Sequence, residues 1–158
     1  MIEHKPLYQA MKQAVSTTLE NMVFMEAMEH YDQDYEIPLE DLTWTSLLIQ
    51  DPVQGELRLA MTGSFLKKLT AMVFAVDEDE VSSAQMEDTL HELLNTIAGL
   101  FMTNLLADNQ TYQLGLPEQG EGDLPELEPG SVVWKLMTGD EEPLQIFATG
   151  ASLLALND

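Results

Sequence analysis

The sequence predicts an α/β fold of the α+β sandwich kind, with helices packed on a largely antiparallel sheet. Three observations lead there. Helix signals recur in three stretches, at about 7–30, 64–76 and 82–107. Two pairs of short apolar or alternating runs face each other across turn-forming segments, which is the mark of hairpins. The elements then come in the order helix, hairpin, helix, helix, strand, hairpin, so the helices are expected to cover one face of the sheet. At 158 residues the chain reads as one domain, 1–158, long enough to bury a real core.

Each element has its own warrant. Residues 7–30 form a first helix with Ala10, Ala14, Leu19, Met22, Val23 and Met25 on its apolar side, broken by Asp32–Asp34 and Ile37-Pro38. Trp44–Gln50 and Glu56–Thr62 pair around the turn signal Asp51-Pro-Val-Gln-Gly55. Gly63-Ser64 opens a short helix through about Val76, with Ser64 as its cap. The acidic run Asp77–Glu80 lacks the spaced ligands and glycine of a calcium loop and reads as a solvated connector. After the helix at 82–107, Thr111–Leu116 is expected as a strand and Pro117–Gly130, rich in Pro, Gly and Glu, as an exposed loop. Ser131–Met137 and Leu144–Thr149 close the chain as a hairpin across Gly139–Pro143.

Composition removes several classes of function. Six basic residues stand against 28 acidic ones, a net charge of −22. Nucleic acid and anionic membrane surfaces need the opposite balance, so neither is an expected partner. The acidity is read as a hydrated surface, or as adaptation to salt or a steering field for a basic patch on a partner. The chain has no cysteine, which excludes disulfides, a thiolate nucleophile and a zinc knuckle. No apolar run approaches bilayer-spanning length and the N-terminus lacks a signal-peptide pattern, so a cytoplasmic location is expected. His4, His30 and His91 are scattered, no serine has a nucleophile-elbow context and no glycine-rich loop cradles a nucleotide. The ten methionines mostly follow helix or strand periodicity and read as core filling.

The informative stretch is Asp88-Thr-Leu-His-Glu92-Leu-Leu-Asn95-Thr-Ile-Ala-Gly99, with Pro117 twenty-two residues after the Asn. At about 100° per residue, Asp88, Glu92, Asn95 and Gly99 share one narrow wedge of a helix. Leu90, Leu94, Ile97, Phe101 and Leu105 form a stripe on the opposite side. A Glu and an Asn one turn apart therefore face solvent, with a small residue beside them that leaves room for an approaching partner. Met102 lies about 40° from this stripe and is expected to add an adaptable apolar contact. Gly99 costs about 1 kcal/mol relative to Ala in mid-helix, which suggests close approach by a partner or a packed element. Asp88 is read as stabilising the first turn or orienting a neighbour, and Pro117 as ending the strand that follows.

The order Asp-x-x-x-Glu-x-x-Asn-x-x-x-Gly, followed by a Pro about twenty residues on, resembles the active helix of the CheC/CheX/FliY chemotaxis phosphatases. In length and helix–hairpin order the chain is most similar to CheX. The specific content of the likeness lies within about 88–117, although the layout agrees along nearly the whole chain. The resemblance implies a pseudo-two-fold fold of CheX/CheC type and removal of the phosphoryl group from the phospho-aspartate of a CheY-like response regulator. Glu92 and Asn95 are the implied catalytic pair, with Asp88, Gly99 and Met102 against the partner. An acyl phosphate is already reactive, so the help required is mainly to place a water in line with phosphorus. A neutral amide suits that task, since its carbonyl accepts from the water while its NH2 donates to a neighbouring oxygen. Asn95 is then a positioner, not a base. The resemblance gives Glu92 a salt bridge to a lysine of the regulator, and places Mg²⁺ on the regulator, so that no cofactor or metal is expected on this chain.

The resemblance also implies a homodimer, for which Trp44–Gln50 or Ser131–Met137 is expected to offer a pairing edge. Ser16, Glu20, Val23 and Ala27 in the first helix match the spacing of Asp88, Glu92, Asn95 and Gly99. Either chance or a degenerate repeat accounts for this, and with Val23 in place of an Asn no second active site is expected. A non-catalytic regulator-binding protein, or a scaffold related to the flagellar switch, is the alternative on the same fold. A sensory domain with a ligand in its core is a distant third.

Overall fold

A computed structural model describes residues 6–29, 37–120, 122–138 and 141–157. Helix α1 (Pro6–Val23) leads to a short strand β1 (Ala27–Glu29). Strands β2 (Leu42–Asp51) and β3 (Gly55–Thr62) form the first hairpin, followed by helices α2 (Gly63–Phe74) and α3 (Ser83–Leu105). Two very short strands, β4 (Gln113–Leu114) and β5 (Glu118–Gln119), precede the second hairpin, β6 (Val132–Thr138) and β7 (Pro143–Thr149), and a terminal turn of helix, α4 (Ala151–Leu154). All pairings are antiparallel, in the order β1-β6-β7-β3-β2-β4, with β5 also on β2. The mixed helix and antiparallel-sheet class read from the sequence is the class observed.

Successive side chains point to opposite faces of the sheet, and β7 is buried at every position because both faces are covered there. Leu47, Ile49, Leu57, Leu59, Met61, Trp134, Leu136, Leu144, Ile146 and Ala148 share one core with Leu7, Met11, Val15 and Leu19 of α1 and with the apolar arc of α3. Helices α1 and α3 lie antiparallel across this face, tied near one end by Asn104 Nδ2 donating to the Ala10 carbonyl at 3.3 Å. The other face carries a smaller cluster of Ile37, Trp44, Ala60 and Phe147.

The expected loop at Pro117–Gly130 is exposed at most of its described positions, but part of it also packs onto that second cluster. Leu124 and Leu127 pack onto it, Trp44 Nε1 donates to the Gly122 carbonyl at 3.0 Å, and Arg58 Nη1 donates to the Pro125 carbonyl at 3.2 Å. A Cβ at Gly120 would overlap the Trp44 ring, so the glycine lets the loop close against the indole. A polar, Pro- and Gly-rich segment thus covers part of the open sheet face with just two leucines.

Several boundaries also differ. The first helix stops at Val23 rather than near residue 30, because Phe24 takes a left-handed φ of 56° and the Met25 N–H turns back to the Leu19 carbonyl at 3.2 Å. The chain beyond it becomes β1, whose backbone pairs with β6 from Ala27↔Thr138 to Glu29↔Leu136. The expected breakers at Asp32–Asp34 lie outside the described residues. The cap of α2 is Thr62, whose Oγ1 accepts from the Phe65 N–H at 3.0 Å, while Ser64 lies inside the helix with its hydroxyl 2.7 Å from Asp41 Oδ2. Of the two expected pairing edges, Trp44–Gln50 lies between β3 and the β4–β5 segment, whereas within Ser131–Met137 only Leu136 and Met137 pair with β1, so the rest of that stretch has no strand beside it on that side among the described residues.

Candidate functional site

Helix α3 is strongly specified at its start. Ser82 Oγ accepts from the Gln85 N–H at 3.1 Å and Gln85 Oε1 accepts from the Ser82 N–H at 3.0 Å, a reciprocal capping box that satisfies two otherwise orphaned donors. From there Thr89, Leu90, Leu93, Leu94, Ile97, Ala98, Phe101 and Met102 are buried, and Asp88, Glu92, Asn95 and Thr103 are exposed. The polar stripe read from the sequence is real. Asp88, Glu92, Asn95 and Gly99 fall within about 60° of arc at about 100° per residue.

Asn95 is exposed, and its amide makes no hydrogen bond to any other described residue. Both of its faces are thus available to an incoming group. Glu92, also exposed, has one partner among the described residues: Oε1 accepts from Thr96 Oγ1 at 3.3 Å. This contact across one helical turn leaves most of the carboxylate open, and the described residues offer it no cation. Asp88 is the sixth residue of α3, counted from Ser83. Its expected first-turn role therefore fails, since the helix-end field fades within one turn, and Asp88 remains as an exposed member of the stripe.

Two flanking readings change. Met102 is fully buried, 0% exposed, and belongs to the core rather than to a partner contact. The physical reason is that the buried arc of α3 exceeds half its circumference, because α1, α2 and β2 all pack against the helix. A position about 40° from the polar stripe is therefore already under cover. Gly99 is half-buried, and a Cβ there would meet the Tyr112 hydroxyl at 3.5 Å, an ordinary contact. No crowding within the chain demands glycine at 99.

Tyr112 is the neighbour that the sequence did not single out. The residue is 38% exposed and its hydroxyl is 3.5 Å from Thr103 Oγ1, one turn beyond Gly99 on the same stripe. Aromatic residues at strand starts are common, and only the returning path of the chain brings this one to α3. The expected strand at 111–116 shrinks to Gln113–Leu114, and pairing with β2 resumes at Glu118–Gln119. Pro117, which has no N–H to give the ladder, lies in the gap between them, as its expected strand-ending role requires.

Around the stripe, Thr89 Oγ1 and His91 Nε2 are buried without hydrogen-bond partners. Among the described residues no group of three or more His, Asp or Glu is placed to hold a metal ion. No described helix is long and apolar enough to cross a membrane. In the first helix, Val23 is fully buried and Ala27 belongs to β1, so the match to the α3 spacing does not run along one helical face. What α3 offers chemically is a convex acidic stripe with one free amide and one open carboxylate, suited to entering another molecule's pocket rather than to enclosing a substrate.

Comparisons with known proteins bear on which molecule that is. The sequence model of the family described as chemotaxis phosphatase CheX matches residues 46–131. No curated protein matches the chain. Among solved structures, the chain is similar to the chemotaxis protein CheX from Desulfovibrio desulfuricans, with a TM-score of 0.72 and 14% identity over 90% of this chain and 97% of that one. It is similar to a chain from the CheX–CheY–BeF3–Mg²⁺ complex of Borrelia burgdorferi, with a TM-score of 0.68 and 16% identity over 89% and 95%. It also resembles the middle domain of FliM from H. pylori, with a TM-score of 0.63 and 10% identity over 96% and 92%. At such identities these likenesses establish the fold.

Proposed function

Because the chain belongs to the chemotaxis phosphatase CheX family, we propose that it dephosphorylates the phospho-aspartate of a CheY-like response regulator. The observation that carries this is the exposed Asn95 amide, without a hydrogen bond to any described residue, one helical turn from the open Glu92 carboxylate. In the proposed step, Asn95 enters the receiver's phosphorylation pocket. Its carbonyl accepts a hydrogen bond from a water and its NH2 donates to a nearby oxygen, which aligns the water with phosphorus. The water oxygen bonds to phosphorus, the bond to the aspartyl oxygen breaks, the aspartate leaves as a carboxylate, and the water's two protons remain on the oxygens of the released phosphate. Glu92 pairs with a receiver lysine and fixes the register in which Asn95 enters. Mg²⁺, held by the receiver, supplies charge neutralisation at the phosphoryl oxygens. The protein works in the cytoplasm, where such receivers are, and as a homodimer.

The membership of the family and the CheX–CheY complex of a relative support a receiver as the partner. The FliM likeness favours a second reading, a receiver-binding scaffold without turnover. A scaffold needs the docking face but has no use for a free amide at its centre, so the phosphatase reading is preferred. The test adds the purified protein to CheY-like receivers of the same genome, charged with radiolabelled phosphoryl groups, and follows loss of label. Acceleration of one receiver supports the phosphatase, and binding to beryllofluoride-activated receivers without acceleration supports the scaffold.

A further inference from the structure

The chain that returns from α3 runs back along it. At one end, the Tyr112 hydroxyl is 3.5 Å from Thr103 Oγ1 and would touch a Cβ at Gly99. At the other end, Gln119 shares a hollow with Ser83, Met86 and Glu87 of the first helical turns. From Tyr112 to Gln119 an extended chain covers about 23 Å at roughly 3.3 Å per residue. The helix from about residue 101 back to about 85 covers about 24 Å at 1.5 Å per residue. The two spans match in length, which puts the middle of the returning segment, Leu116-Pro117, at the level of the middle of α3, where Glu92 and Asn95 are.

Leu116 is 86% exposed, whereas Leu114, two residues earlier, packs against the core on the helix side of the sheet. Pro117 interrupts the pairing with β2 at this point, which frees Leu116 to project. We propose that Leu116, together with the Tyr112 ring, forms the apolar rim of the receiver-docking surface, and contacts the receiver beside its phosphorylated aspartate. This rests on the phosphatase reading and deepens it by naming residues that select and hold the partner. The occupant follows from continuity with the Glu92–Asn95 stripe. An exposed carboxylate alone gives a contact that salt screens. An apolar rim that closes over it excludes water, strengthens the Glu92–lysine pair and adds affinity of its own.

The test measures binding to a beryllofluoride-activated receiver and turnover of the same receiver charged with radiolabelled phosphate. Wild type, Leu116→Ser, Leu116→Asp and Asn95→Ala are compared. Leu116→Ser is expected to raise Kd and KM about tenfold, the effect of exposing one buried leucine at a contact. The loss falls on KM rather than kcat, the reverse of Asn95→Ala, and Leu116→Asp gives the larger loss. The melting temperature is expected to hold for both, because the side chain is exposed. A wild type that binds and turns over the receiver, with both Leu116 variants indistinguishable from it, overturns this assignment alone. A wild type that binds no activated receiver overturns the phosphatase reading, and the rim with it.

Discussion

Replacing Asn95 by Ala is expected to separate the proposed catalysis from the protein's stability and binding. The side chain is exposed and bonded to no described residue, so its removal breaks no internal hydrogen bond and opens no cavity. Thermal stability is expected to stay within about 0.5 kcal/mol of wild type, as for surface substitutions generally. Alanine has, if anything, the better helix propensity. Catalysis should respond very differently. The amide is held on a rigid, capped helix, so it brings preorganised hydrogen-bonding groups to the water at no further ordering cost. Loss of one such group costs on the order of 10²-fold or more in rate, equivalent to about 2.7 kcal/mol of transition-state stabilisation. Affinity for the activated receiver should fall only modestly, because Glu92 and the surrounding stripe remain. The assay follows loss of radiolabelled phosphate from the receiver with wild-type or variant protein, at concentrations that saturate binding. Equal acceleration by the two proteins would refute the water-positioning role and leave the scaffold reading in front.

Other substitutions probe the neighbouring assignments. Glu92→Lys is expected to abolish productive binding by opposing the receiver lysine with a like charge; a variant that keeps full phosphatase activity would remove Glu92 from the docking contact. Ser16→Ala and Glu20→Ala should leave turnover nearly unchanged, since Val23 is buried where a second amide would have to be exposed. A loss of turnover with circular dichroism and light scattering intact would show that the first helix is active. Met102→Ala should lower stability by about 2–5 kcal/mol, read by denaturant unfolding, while the folded variant binds the activated receiver as wild type does. Weakened binding at unchanged stability would return Met102 to the docking face.

What the sequence disclosed, and what it withheld, follows from the range of the interactions involved. The α3 stripe was legible because helical periodicity and the polar identities of Asp88, Glu92 and Asn95 are local. Both hairpins were legible for the same reason, since their turns lie in the intervening residues. The end of α1 was not. It depends on a non-glycine residue, Phe24, held in the left-handed region by a sheet edge that can use the residues after it. The cover over the second sheet face depends on Trp44 meeting Gly122 across 78 positions of sequence, which no local pattern encodes. Met102 illustrates the limit of a helical wheel. The wheel gives the angle of a side chain but not the width of the covered arc, which is set by how many elements pack around the helix. Tyr112 was missed on the same ground, since only the path of the returning chain makes it a neighbour of α3.

The shape of the candidate site bears on how little chemistry this chain has to supply. A cleft enzyme excludes water, binds substrate and stabilises charge with its own groups. Here the stripe is convex and acidic, and in the proposed mechanism its working groups are a neutral amide and a carboxylate. On its own such a surface would repel a phosphoryl group, since charges of the same sign would approach each other through water. It becomes productive only when the opposing surface supplies the cations. A receiver that carries a lysine and a divalent ion beside its phospho-aspartate does so, and its pocket also supplies the dry, low-dielectric surroundings in which one well-placed amide is worth most. The amide is also the group best suited to this division of labour. An aspartate at position 95 would carry a second negative charge toward the phosphoryl oxygens, and a lysine would compete with the receiver's own cation, whereas asparagine orders the water and adds no net charge. Asn95→Asp is therefore expected to fall at least as far as Asn95→Ala in turnover and further in affinity. Binding of the beryllofluoride-activated receiver, set beside the rate of label loss, would show the two effects separately.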